Sequence, residues 1–374
     1  MKVKIGSSKL VKPFYEGNPP LTTDYMPLSV FDKVTYDQHV AVIYAYRPPT
    51  PPNAMIELGL RKALAVYREW AGRLGKDSSG EPIILLNDEG VRFVEASVDR
   101  ALDETVTFVP SASLTSLHPN LEGVVEPVQV QIHEILVWLN GGGLHGPPPS
   151  DRRTRDKASA INGTNKPFST FESLVAHLWR AITKARCLNG LETTQVRVSV
   201  DGRARLNPRV PNEYFGNLVL WAFAKAKVDD LLREPLPYAA KLLHEAVMNV
   251  NDKYFKSFID FANHKVRQED LVPNAVADTK ESILWPNLEV DSWLRFPFYD
   301  LDFGGGGPYI FMPSFSPTEG MIFLLPSFIG DGSIDVFVPL FREKFDNFQT
   351  DLLFSRLECT SKIDLCLKKL HFGA

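Results

Sequence analysis

The chain has 374 residues, 44% of them hydrophobic and 23% charged, with 41 Lys+Arg against 45 Asp+Glu for a net charge of −4. That size predicts two domains or one large one with ample apolar material for a core, and the ordinary composition excludes disordered and collagen-like classes. The slight acidity offers no footprint for nucleic acid or an anionic membrane surface, and neither partner is expected.

Three cysteines, Cys187, Cys359 and Cys366, lack metal-ligand spacing and make no disulfide framework, which predicts a reducing, cytoplasmic setting. The start Met1-Lys2-Val3-Lys4 leads into no apolar signal segment, and the apolar stretch Met321 to Leu325 meets Pro326 far short of a membrane span.

The first part reads as mixed α/β. Val40 to Tyr46 is apolar on both faces, which predicts a strand buried on both sides. Pro48 to Pro52 break the chain, and Asn53 is placed to cap a helix with the stripe Ile56, Leu60, Ala63, Leu64 and Tyr67, ending near Gly72. Ile83 to Leu86 and Val91 to Val94 read as short strands, with Asn87-Asp88-Glu89-Gly90 between them as a hairpin turn. Val128, Val130 and Ile132 alternate with Gln129 and Gln131, a half-buried strand by period. Residues 140–167 carry Gly141 to Gly143, Pro147 to Pro149 and a charged run from Asp151 to Lys157; without periodicity they read as a linker.

Order returns at Ser169, which forms a capping box with Glu172. Phe171, Leu174, Val175, Leu178, Trp179 and Ile182 then follow helical spacing. Val196, Val198 and Val200 alternate with Arg197 and Ser199 as a strand, and a helix-rich stretch covers roughly 226–262. The last sheet signals are Tyr309 to Phe315, Met321 to Phe328 and Ile334 to Leu340, the last two joined by a turn at Gly330-Asp331-Gly332.

Familiar catalytic signatures are missing. No GK[ST] follows a glycine-rich stretch, no GxGxxG opens a helix, and HExxH, CxxC and GxSxG do not occur. Metal binding is therefore not expected. None of the eight histidines has an aspartate four residues on. His118 has Glu122 at that offset but is followed by Pro119 and reads as a turn residue, and His177 falls on the polar side of its helix.

The informative segment is Val290 to Ser314, which joins an aromatic-rich strand (Trp293, Phe296, Phe298) to a second strand through the glycines 304–307. Arg295, Asp300 and Asp302 are charges in apolar surroundings, and a buried charge needs a partner. Asp302 is accordingly expected in a buried ion pair that pins the turn.

DFGGG at 302–306, with SWLRFPFY at 292–299 before it, resembles a motif of the plant BAHD acyl-CoA-dependent acyltransferases. Further matches are SSKLVKP at 7–13, PLSVFDK at 27–33, EWAGRLG at 69–75, LLNDEGVRFVEA at 85–96, STFESLVAHLWR at 169–180, VDGRARLNP at 200–208 and GDGSIDVFVPL at 330–340. The nearest likeness is to grass hydroxycinnamoyl-CoA amine N-transferases. The resemblance implies an α/β fold of two domains like chloramphenicol acetyltransferase, its N-terminal half incomplete. The implied boundaries are 1–139 and 168–349 for the two domains, 140–167 for a replaced linker and 350–374 for an atypical tail. It also implies a hydroxycinnamoyl or benzoyl group passing from acyl-CoA, a co-substrate with no bound cofactor, to a small amine acceptor in a phenolamide-forming monomer.

Carried over position by position, Asp302 is a structural residue of the DFG-type motif. Trp293 and Arg295 lie toward the acceptor, Asp300 is a partner for a cationic acceptor, and Arg203 and Arg205 are candidates for the CoA phosphates. The family's His and Asp of an HxxxD motif have no counterpart: after VQVQI at 128–132 the chain reads HEILVWLNGGGLHGPPPSDRR, and His133 and His145 lack the aspartate. Two readings of different class therefore stand, an N-acyltransferase and a non-catalytic truncated remnant that binds either CoA thioesters or nothing.

Overall fold

The computed structural model describes residues 1–35, 39–106, 112–119, 124–136, 168–263, 284–314, 318–327, 332–341, 344 and 365–372. The strands are β1 (Val3–Val11), β2 (Tyr25–Pro27), β3 (Val42–Ala45), β4 (Arg73–Lys76), β5 (Pro82–Leu85), β6 (Val91–Ala101) and β7 (Gln129–Leu136). They continue with β8 (Thr193–Asp201), β9 (Val219–Lys227), β10 (Leu288–Ser292), β11 (Ile310–Pro313), β12 (Met321–Pro326), β13 (Ile334–Phe341) and β14 (Leu365–Phe372). The helices are α1 (Val30–Val34), α2 (Asn53–Val66), α3 (Arg68–Ala71), α4 (Leu102–Thr105), α5 (Thr170–Ala185), α6 (Val228–Arg233), α7 (Leu236–Asn249) and α8 (Asp252–Asn263).

Two compact units exchange short segments. The first comprises Met1–Ser29, Val40–Pro147 and Pro297–Phe315; the second comprises Val30–His39, Pro148–Phe296 and Ser316–Ala374. The linear boundaries 1–139 and 168–349 do not carry that exchange: 297–315 joins the first unit as β11 finds its partner in β3, register Ile310↔Ala45 to Pro313↔Val42, and 30–39 joins the second as Phe31 packs with Leu218, Leu220 and Phe255. The expected linker 140–167 lies outside the described residues, and so does the 350–374 tail apart from β14.

In the first unit, sheets run β1-β6-β7, β2-β5-β4 and β11-β3. Val11, Leu64, Ala71, Val91 and Phe93 form its core, with Val130 and Ile132 packed against them. Several sequence expectations change here. Val42 is 41% exposed, so β3 is not buried on both faces. Asn53 is the first residue of α2 and its amide donates to Glu95 at 3.0 Å, so it does not cap; Pro52 holds that place without a side-chain bond. Residues 83–94 form no hairpin: β5 pairs with β2 and β4, while β6 pairs with β1 and β7. The intervening loop turns the chain between sheets through the left-handed residues Asp88 and Gly90. A Cβ on Gly90 would meet the Val11 carbonyl oxygen at 2.5 Å, so only glycine fits.

The second unit holds one six-stranded sheet, β14-β13-β12-β10-β8-β9. Its inner strands β8, β10 and β12 run parallel, as strands buried on both faces do. Helix α5 opens with the predicted capping box, Ser169 Oγ accepting from the Glu172 N–H and Glu172 accepting from the Ser169 N–H. Its stripe of Leu174, Val175, Leu178, Trp179 and Ile182 packs on Val196, Val198, Val290, Ile322 and Val336. Each fully buried aliphatic side chain there contributes roughly 1.5–3 kcal/mol. The far end of α5 is fastened by Arg186, wholly buried and paired with Glu319 at 2.7 Å, which also donates to the carbonyls of Pro286 and Asn287.

Candidate functional site

The residues singled out from the sequence are not gathered in one place. Trp293 and Arg295 belong to the second unit, Asp300 and Asp302 to the first. β10 ends at Ser292, so the aromatic run 293–298 is not a strand. The Trp293 backbone N–H donates to Leu324 O at 2.8 Å, and its ring meets Phe323 edge-on at 5.1 Å. Arg295, Asp300 and Asp302 are all exposed, which corrects their reading as embedded charges. Asp302 does pin its turn, but through backbone donors instead of an ion pair: Oδ1 accepts from the N–H of Gly304 at 2.7 Å and Gly306 at 2.9 Å. Those bonds hold its carboxyl below the usual carboxylate range. Around the turn, Tyr46 donates to Leu301 O at 3.1 Å, and burial, with Tyr44 and Asp302 nearby, pushes its hydroxyl up to about 12. The glycine motif is thus a clasp within the first unit.

Arg203 and Arg205 are used internally. Arg203 pairs with Asp201 at 3.1 Å and donates to the carbonyls of Tyr214 and Gly216, and Arg205 donates to those of Val247 and Val250. Both fasten the loop that follows β8. His145 lies outside the described residues.

A polar constellation that the sequence reading missed lies on the second unit's sheet. Strand alternation sends Leu288 and Val290 of β10 into the core and turns Glu289 and Asp291 to the other face. Parallel register sets Glu289 beside Arg197 of β8, with which it forms a buried ion pair. Two residues on, Ser199 Oγ donates to Asp291 at 2.9 Å. The indoles of Trp221 and Trp293 donate to Glu289 and Asp291 respectively. Met321 and Phe323 stand beside the two acids on β12, and Phe337 stands beside Phe323 on β13. The acids therefore sit on an aromatic floor.

Their electrostatics differ. Burial pushes Glu289 up to about 7 against the pull of Arg197. Burial also raises Asp291, opposed by bonds from Ser199 and Trp293 and by Arg197. Glu289 has a cation against it, whereas the bonded donors of Asp291 are neutral. A cationic ligand at Asp291 would offset the desolvation of its carboxylate. The signal was available in Leu288-Glu289-Val290-Asp291-Ser292, where acids alternate with core residues on an inner strand. Among the described residues no cluster of three His, Cys, Asp or Glu side chains is placed to hold a metal, and no helix is long and apolar enough to cross a membrane.

A family model described as "Transferase family" matches residues 1–137 and 152–354. The chain is 40% identical to agmatine coumaroyltransferase-1 of Hordeum vulgare over 434 positions, covering 93% of this chain and 98% of the relative. Since 93% of 374 residues is about 348, about 86 of those 434 positions face no residue here. It is 41% identical to putrescine hydroxycinnamoyltransferase 3 of Oryza sativa subsp. japonica, with the same shares covered. Among solved structures, vinorine synthase superposes with a TM-score of 0.66 at 19% identity, covering 92% of this chain and 96% of that one, a likeness of fold.

Proposed function

Because the chain belongs to the Transferase family, that of the BAHD acyltransferases with their chloramphenicol acetyltransferase-like fold, we propose that it moves a hydroxycinnamoyl group from acyl-CoA to a cationic amine, forming a phenolamide. The observation that carries the acceptor class is the aromatic face around Asp291, a desolvated carboxylate whose bonded donors, Ser199 and Trp293, are neutral. Relatives named for agmatine and putrescine, both amines, support the same reading. Asp291 replaces Asp300 as the preferred acceptor contact, because desolvation is what strengthens a carboxylate–ammonium bond and Asp300 is exposed. Acyl-CoA acts as co-substrate.

The test combines p-coumaroyl-CoA with agmatine, putrescine and tyramine and follows released CoA, while calorimetry reads amine binding. Asp291→Asn is expected to weaken amine binding about 10–100-fold, the worth of a charged hydrogen bond. Unchanged affinity would remove Asp291 from the acceptor site.

A second reading, a thioester-binding protein without turnover, is favoured by one observation: the family match breaks at 138–151, and no histidine in the chain has an aspartate four residues on. Loss of a general base costs about 10²–10⁴ in rate. CoA binding without CoA release in the presence of amine would select it.

A further inference from the structure

A nitrogen attacks a thioester carbonyl through its lone pair, so the end of an amine that reacts is uncharged at that moment. An ammonium elsewhere in the same molecule, like that of lysine, holds its proton up to about pH 10, and a guanidinium holds it higher still. A diamine or guanidinoamine therefore presents one distal cation, a triamine presents two, and a monoamine presents none. The charges where β8 and β10 pair match one of these counts.

Two acids and one cation meet there, Glu289 and Asp291 of β10 and Arg197 of β8. Glu289 and Arg197 are 4% and 8% exposed and bonded to each other. The Arg197 guanidinium also lies over the Trp221 ring at 5.7 Å, and the Trp221 indole donates to Glu289. A ligand cation seeking Glu289 would have to displace that guanidinium and strand it in the sheet, which is strongly unfavourable. Asp291, two residues toward the carboxyl end of β10, is placed differently. It is half-buried, as are Ser199 and Trp293, the neutral donors bonded to it. The charge of Arg197 reaches it only through space. Of the two acids, one is engaged by Arg197 and one remains for a ligand.

We propose that Arg197 is a specificity-determining residue of the acceptor site: by engaging Glu289 it leaves Asp291 as the carboxylate that meets the ligand, so the site selects amines whose reacting form carries one distal cation. The inference rests on the acceptor reading above and goes beyond it by fixing the number of charges as well as their sign. Arg197 acts through Glu289 and touches no substrate, so its signature is a change in selectivity among acceptors of different charge.

Calorimetry on the full chain tests it with the p-coumaroyl amides of butylamine, putrescine and spermidine, which carry no, one and two cations, the charges their amines hold at attack. The putrescine amide is expected to bind about 10–100-fold tighter than the butyl amide, the worth of a charged hydrogen bond, and the spermidine amide no tighter than the putrescine amide. Arg197→Ala frees Glu289 and should raise the spermidine amide about tenfold against the putrescine amide, whereas a side chain that only packs would shift all three alike. Glu289→Gln keeps the shape of the site, leaves the guanidinium uncompensated beside Asp291 and should weaken the putrescine amide about tenfold; adding Arg197→Met should recover most of that loss. A spermidine amide bound tightest by the native chain, a spermidine-to-putrescine ratio unmoved by Arg197→Ala, or a Glu289→Gln loss that Arg197→Met does not recover overturns the proposal. Release of CoA from p-coumaroyl-CoA and putrescine is followed in parallel. Amide binding blind to charge with native CoA release overturns this inference alone; charge-selective binding without CoA release supports it and overturns turnover alone.

Discussion

The two units handle burial differently. The second closes one broad sheet over α5, with Trp179, Leu178, Ile182 and Arg186 shielded almost completely from water. The first divides its strands among three small sheets; both units leave large apolar side chains at the surface, Val66 at 73% in the first and Leu191 at 81% in the second. On the first unit's β7, Gln129 and His133 carry buried polar atoms that have no partner among the described residues.

The contrast can be broken first in the second unit. Trp179→Ala should cost about 3–5 kcal/mol in denaturant unfolding, and Glu319→Gln, which strands the buried Arg186 guanidinium, should approach that. A loss under 1 kcal/mol from both would show that the second unit is no tighter than the first. In the first unit, Gly90→Ala forces a side chain into a left-handed conformation against the Val11 carbonyl and should cost about 1–3 kcal/mol by the same measurement.

The helix cap sharpens the comparison at smaller scale. Ser169→Ala should lose about 1 kcal/mol. Burial opposes ionisation of Glu172, but bonds from Ser169 and His244 prevail and hold its carboxyl below the ordinary value. Its contribution is present above the unfolded carboxylate range and fades as pH falls through the folded value, so Glu172→Gln should flatten acid unfolding curves. Smallest of all, Val42→Thr on exposed β3 should stay within about 0.5 kcal/mol.

Local chemistry made much of this legible. The Ser169–Glu172 box, the α5 stripe and the alternation of β8 each reside in a few neighbouring residues, and each stands where the sequence placed it. The supposed hairpin at 83–94 misled because its turn chemistry is local while its strand partners lie elsewhere: β2 for β5, β1 for β6. Asp302 showed the same limit, since an aspartate followed by glycines can be satisfied by their N–H groups without any cation. The acid pair Glu289 and Asp291 escaped notice because its meaning comes from Arg197, Ser199 and Trp221, all contributed by strands far off in sequence.

The pairing of β3 with β11 sets a timetable for synthesis. Tyr46 and the Leu301 carbonyl it binds are separated by 255 positions. A ribosome has therefore delivered most of the polypeptide before the amino-terminal lobe can receive its last strand, and closing so long a loop is slow. A nascent chain stalled before residue 310 would carry β3 with its edge bare, a state in which chaperone capture and protease cleavage compete with completion.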